Sequence, residues 1–380
     1  MSGRWARGVA AAAVLAALAA GCTTGTPPAG TVEAGWTALP DAPLAPRRSA
    51  TAAWVADRFV VVSGWSDRAC PPTADCVLDP GAALRDGAAY DPAADAWAPI
   101  APAPVALWTA TAAVVGDTLY VLGAEADPAG DTVGEPVLLA YDAGADAWAT
   151  LPSPPEPWSA LVAAGDVLLA IAGTDEHGPT TDAALDPATG RWRTLPDDPL
   201  GPSFDREAAW LDDRLLLAAK DLVPSPGATE PAVVRLAWLD ADLATWSAPT
   251  DTEVIGWAPV AVGGHVVFPG LGDADGGEVG NWGRPYPFGG VLDVATGEWR
   301  PLPDVGDETT RAPLAGVVVG DRVVVGDGLL DPATGDWARL PGVPGPEATE
   351  RAVTAGGGAL LVWGGAASSG NLADGYLLRP

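Results

Sequence analysis

The chain has 380 residues, 48% of them apolar, with 20 Lys plus Arg against 49 Asp plus Glu and a formal net charge of −29. That surplus of acid makes nucleic acid an unfavourable partner, because phosphate binding needs a basic face. Leaving aside the first 22 residues, only Cys70 and Cys76 remain of three cysteines, and the histidines are His177 and His265, so thiolate or imidazole metal centres lack ligands.

The first element is a leader. Arg4 and Arg7 precede an apolar run from Val9 to Ala20, which is too short to cross a bilayer comfortably and reads as a secretory signal over residues 1–21. LAAGC at 18–22 resembles the bacterial lipoprotein box, although Leu18 stands four residues before the cysteine rather than three. The resemblance implies a lipid on Cys22, an extracytoplasmic location and membrane attachment through that anchor alone; plain secretion is the alternative. Residues 22–35, rich in Thr, Gly and Pro, read as a flexible tether. In an exported chain, Cys70 and Cys76 in the loop CPPTADC are expected to form a disulfide.

From residue 36 onward the chain repeats. DPATGRWRTLP at 186–196 returns as DPATGDWARLP at 331–341 and as DVATGEWRPLP at 293–303. The tryptophans of this unit are Trp36, Trp97, Trp148, Trp192, Trp246, Trp299 and Trp337, and all but Trp36 have an aspartate six residues earlier. An apolar residue, Asp, a short turn and Trp describe a β-hairpin, since Asp can hold its own turn and Gly190, Gly297 and Gly335 can take positive φ. Between hairpins lie two more short strands, as in TAAWVADRFVVVSG at 51–64 and TAAVVGDTLYVLG at 111–123. Each unit is therefore four antiparallel strands, A to D, and one such sheet must stack on its neighbours to cover both faces.

These units resemble the kelch repeat. The likeness implies an all-β, seven-bladed propeller over residues 36–380. RAVTAGGGALLVWGG and LADGYLL at the chain's end supply strands A to C of a blade whose D strand would come from Trp36 onward. That closure places residues 36–40 beside 372–378. Asp and Trp of the repeat are expected to be structural, as turn former and packing residue.

The long B–C connections, 65–85, 124–136 and 271–289, would all emerge at one end of the disc, together with the D–A connections. Residues entering strand A are Arg48, Trp108, Trp158, Arg206, Trp257, Arg311 and Arg351. A ring of arginines and tryptophans at the channel mouth would suit an acidic glycan or an acidic protein segment. The alternative is that these arginines bond loop carbonyls and acids such as Asp205, Glu207 and Glu350. Trp282, in the 271–289 loop, could reach the same mouth, and Asp273, Asp275 and Glu278 there match no full calcium loop.

No nucleophile elbow, phosphate loop or dinucleotide motif occurs. The expectation is a monomeric, non-catalytic protein without cofactor or metal that binds a protein or acidic glycan. The alternative is a hydrolase, lyase or sugar isomerase acting on an acidic carbohydrate, with Glu207 or Glu350 as its acid.

Overall fold

The structure, a computed structural model, describes residues 30–31, 35–69, 79–126, 133–155, 160–222, 232–256, 258–269, 289–303 and 316–380. Among these, strands make up the regular structure apart from one short 3-10 turn at Pro80–Ala82. No helix among the described residues is long and apolar enough to cross a membrane.

Strands of consecutive sequence pair into antiparallel four-stranded sheets. In the first, Thr51–Val55 pairs with Arg58–Val62, which pairs with Gly87–Asp91, which pairs with Ala96–Ile100. The A–B turn there is the two residues Ala56 and Asp57, at φ 47° and 59°. Gly263–Gly264 and Gly357–Gly358 make the same doubly left-handed turn, which suits the twist of the flanking strands and explains the glycine pairs. Four more sheets follow the same plan, starting at Leu107–Val115, Ala160–Ala164, Ser203–Leu211 and Val260–Val262. The sixth, which starts at Val318–Val319, carries an additional fifth strand, Gly30–Thr31, parallel to Trp337–Arg339. Part of the segment expected to be a free tether thus lies along a sheet edge.

The last sheet is built from both ends of the chain. Ala352–Gly356, Ala359–Trp363 and Gly375–Leu378 are joined by Thr37–Ala38, with Thr37 opposite Leu377 and Ala38 opposite Tyr376.

The repeated hairpin has a local cause. The carboxylate of Asp91 accepts from the amides of Ala93 and Ala94, and Asp142, Asp293 and Asp331 do the same two and three residues on. Where later repeats use Gly190, Gly297 and Gly335 at positive φ, the first two use Asp95 and Asp146, whose carboxylates accept from the hydroxyls of Tyr90 and Tyr141.

The tryptophan looks outward from its own sheet. The indole N–H of Trp148 donates to Ala101 O at 2.8 Å, that of Trp192 to Pro152 O at 2.7 Å and that of Trp246 to Pro196 O at 2.9 Å. Each acceptor stands four residues after the tryptophan of the preceding sheet. Trp36 obeys the same rule, donating to Pro341 O at 2.8 Å, four residues after Trp337. In these repeats the unit is a donor at one junction and an acceptor at the next, whereas Trp337 donates to Val325 O of its own sheet and the buried Trp97 indole N–H has no partner among the described residues. Trp148→Phe, which keeps the ring but loses the donor, is expected to lower stability by about 1 kcal/mol in urea unfolding.

Among the described residues the core falls into seven clusters, each between two sheets. Val60 and Val62 of the first sheet pack with Leu119 and Val121 of the second. The pattern continues through the chain to Val324 and Leu329 of the sixth with Leu360 and Val362 of the seventh, and finally Leu361 and Trp363 of the seventh with Phe59 and Val61 of the first. Alternate residues of each B strand thus serve two different interfaces, which is why the middles of these strands are apolar.

Candidate functional site

At the B–C and D–A end, the Trp65–Asp86 connection is a long excursion containing the Pro80–Ala82 turn. Of residues 124–136, expected to be a loop, the described ones continue the ladder: Ala124 stands opposite Pro136 and Ala126 opposite Val133, with Leu107 of strand A still opposite Glu125. The 271–289 loop with Trp282, Asp273, Asp275 and Glu278 lies outside the described residues apart from Gly289, as do Cys22, Cys70, Cys76, Trp158, Trp257 and Arg311.

The remaining arginines of the expected ring do not share one register. In the first sheet Arg48 pairs with Trp65 and precedes Ser49, at φ 50°. Arg206 and Arg351 instead follow Asp205 and Glu350, at φ 48° and 54°. Phe204, opposite Lys220, and Thr349, opposite Ala366, stand where Arg48 does. The inserted left-handed residue is a bulge that turns the next side chain away from its neighbours' direction.

Two of these arginines and a third not singled out in the sequence, Arg47, make one recurring clamp. Arg47 donates to Ser63 O at 3.1 Å and grips both carboxylate oxygens of Asp86 at 2.7 and 2.8 Å. Arg206 donates to Ala172 O at 3.0 Å, to Asp182 at 2.8 Å and to Asp198 at 3.1 Å, with Asp175 at 3.8 Å. Arg351 donates to Gly364 O at 2.9 Å and Pro346 O at 3.2 Å, with Asp374 at 3.8 Å. Each joins the end of a B strand to the aspartate that opens strand C, Arg47 and Arg351 in the sheet they lead into and Arg206 in the preceding sheet. The hydrogen bonds from Arg47 hold the Asp86 carboxyl below its usual range, whereas burial pushes that of Asp182 up despite Arg206.

Arg48 differs. It bonds Glu350 at 2.7 Å and Asp67 at 2.8 Å and lies 5.7 Å over the Trp65 ring, joining the first and last sheets at the rim. Burial disfavours its charge, but Glu350 and Asp67 outweigh that and raise its pKa. Trp65 meets the partly exposed Trp108 edge to face at 5.3 Å. Asn371 donates to the carbonyls of Trp65 and Asp67, tying the loop down. Beside it a cleft of about 500 Å³ opens, lined in part by Arg68, Thr349, Ser368 and Asn371.

A third cluster surrounds the single lysine, Lys220, which is wholly buried, 3.0 Å from Asp205 and 5.7 Å over the Phe204 ring. Glu207, two residues beyond Asp205, is half-buried; burial and the Asp205 charge push its carboxyl pKa up. A carboxyl with a raised folded-state pKa favours folding most below its unfolded value, near pH 4, and loses that contribution as pH rises through the folded value. Glu207→Gln is therefore expected to raise the melting temperature at pH 7, and the gain should vanish below about pH 4. His265 contacts Gly263 O at 2.9 Å, and among the described residues no three His, Cys, Asp or Glu side chains converge on a metal position.

Arg47, Asp86, Asp182 and Trp65 were not legible as site residues. The one available signal was an aspartate four or five residues before the hairpin aspartate, as at Asp86 and Asp182.

Over 142 residues, 34% of this chain, the sequence is 32% identical to Kelch-like protein 35 of Mus musculus. The likeness is to a kelch protein. The chain spans 23% of that relative's length. A solved structure titled "Structure of YjhT" aligns over 90% of this chain and 99% of its own, at 15% identity and a TM-score of 0.46. No family profile matches the sequence. The kelch likeness, together with the stacked four-stranded antiparallel sheets, supports a kelch-type β-propeller.

Proposed function

We propose that this chain is an exported, lipid-anchored, monomeric propeller of seven blades that binds a protein or acidic glycan through its B–C/D–A face without catalysing a reaction. The ring reading draws on the seven intersheet cores, the last of them between the seventh sheet and the first, and on the Thr37–Ala38 strand as the outer member of the final blade. Export, the Cys22 lipid and the Cys70–Cys76 disulfide rest on the sequence.

The observation that carries the binding reading is the asymmetry of the two ends. One end has two-residue A–B turns and Asp-held C–D hairpins. The other has the long Trp65–Asp86 connection, the strands extended to Ala126 and from Val133, and the rim where Arg48, Trp65 and Trp108 meet. Loops held on a rigid scaffold are where recognition concentrates. Since Arg48, Arg206 and Arg351 are all engaged with the protein's own carboxylates and carbonyls, the partly exposed Trp108 takes the leading role at this rim. The test is a screen of the chain from residue 31 against glycan and exported-protein arrays, repeated with Trp108→Ala. Loss of about tenfold in affinity for a captured partner is expected from removing an aromatic anchor; partners that bind the variant unchanged refute this placement.

A second reading, an enzyme on an acidic carbohydrate, draws on Glu207, a half-buried carboxyl biased toward holding its proton beside Asp205. Turnover of uronate oligosaccharides that disappears in Glu207→Gln would select it over the binding reading.

A further inference from the structure

We infer that the 500 Å³ cleft at the rim of the last sheet is a docking groove for an extended peptide segment carrying an acidic side chain. The inference rests on the partner-binding reading above and narrows it to a protein partner.

The groove lies on a small three-stranded sheet, Ala348–Thr349, Ala366–Ala367 and Gly370–Asn371, set on top of the final four-stranded sheet. Its lining includes Ala366 and Ala367, and among the described residues no aromatic ring lines it. A sugar normally needs a flat aromatic face to stack on, whereas a slender extended chain needs depth without bulk, so the lining favours a peptide. A volume of this size holds about three or four residues.

The polar groups agree. Arg68 is exposed at the groove, on a chain of net charge −29, and its planar fork is matched to a carboxylate. Glu347 lines the same groove, which disfavours a free anion and suits a ligand that brings N–H donors along with its acid. Asn371 fixes one wall, its amide nitrogen committed to the carbonyls of Trp65 and Asp67. Thr349 and Ser368 add hydroxyls on the same lining.

The experiment titrates the mature chain, by calorimetry, with Thr-Ala octapeptides bearing Asp, Asn or Lys at the centre and, separately, with an acidic oligosaccharide. The Asp peptide is expected to bind at least about tenfold more tightly than the Asn or Lys peptide, the usual scale for one charge-assisted contact. Arg68→Glu should abolish that preference, and Ser368→Trp, which fills the groove from an exposed position, should abolish binding of all three. Both variants should keep the wild-type melting temperature. Peptide binding that neither variant changes overturns the groove while leaving the broader partner-binding reading intact. Binding of the oligosaccharide alone overturns the peptide class, and no binding of any probe at millimolar concentration overturns the inference altogether.

Discussion

Replacing Arg206 by methionine is expected to cost about 3–5 kcal/mol of stability, the usual result of stripping one partner from a buried charge cluster. Arg206 is 3% exposed and holds Asp182 at 2.8 Å and Asp198 at 3.1 Å, with Asp175 3.8 Å away. Without the guanidinium, Asp182, itself buried, keeps only the amide of Ala172 as a donor. The deficit should depend on pH. Burial already pushes the Asp182 carboxyl up, so the pair is least costly when that group is protonated. Losing Arg206 raises it further, so the variant's deficit should shrink as the pH falls through that raised folded-state value and be smallest near the unfolded carboxyl value, about pH 4. Arg351→Met is the internal control. Arg351 bonds two carbonyls and stays 3.8 Å from Asp374, so its loss is expected to cost about 1–2 kcal/mol. Urea unfolding of the two variants at pH 7 and pH 4 decides the matter, and equal losses at both pH values would remove the buried-charge account.

The hairpins were legible because their cause is local. Asp91 and Asp331 bond amides two and three residues on, and such a rule is written into any short window of sequence. The tryptophans were legible as packing residues from their recurrence, but not as donors to the neighbouring sheet. That contact spans about 50 residues and emerges only when the sheets are stacked, as with Trp246 and Pro196. The arginine ring failed as a single register for a different reason. Ser49, Asp205 and Glu350 each add a left-handed residue to strand A, so Arg48 stands on the other side of the bulge from Arg206 and Arg351. A bulge at Ser, Asp or Glu carries no glycine to announce it. Lys220 was equally hidden, because a lysine normally marks the surface and this one is buried by pairing with Asp205. The segment 124–136 reads as a loop because DPAGD, at 127–131, resembles a long turn, while the flanking residues 124–126 and 133–136 go on pairing.

Deleting residues 35–40 is expected to destabilise the fold by more than about 3 kcal/mol and to make the chain prone to aggregation. Two effects add. Trp36 loses its hydrogen bond to Pro341 and its packing against the cluster of Leu340 and Leu378, a truncation worth about 2 kcal/mol for a partly buried tryptophan. Gly375–Leu378 then loses the strand opposite it and presents unpaired backbone along a sheet edge, which is a template for pairing with another chain. The second effect distinguishes a closing strand from a passive N-terminal extension. If Thr37–Ala38 completes the last sheet, a synthetic peptide spanning residues 35–44 should restore the melting temperature of the deleted chain in a concentration-dependent way, since anything that binds only the folded form stabilises it by mass action. A peptide with Trp36 replaced by alanine should restore less, because the donor to Pro341 is gone. A deleted chain that melts with the wild type, or that the peptide leaves unchanged, would show that the final sheet holds without its outermost strand.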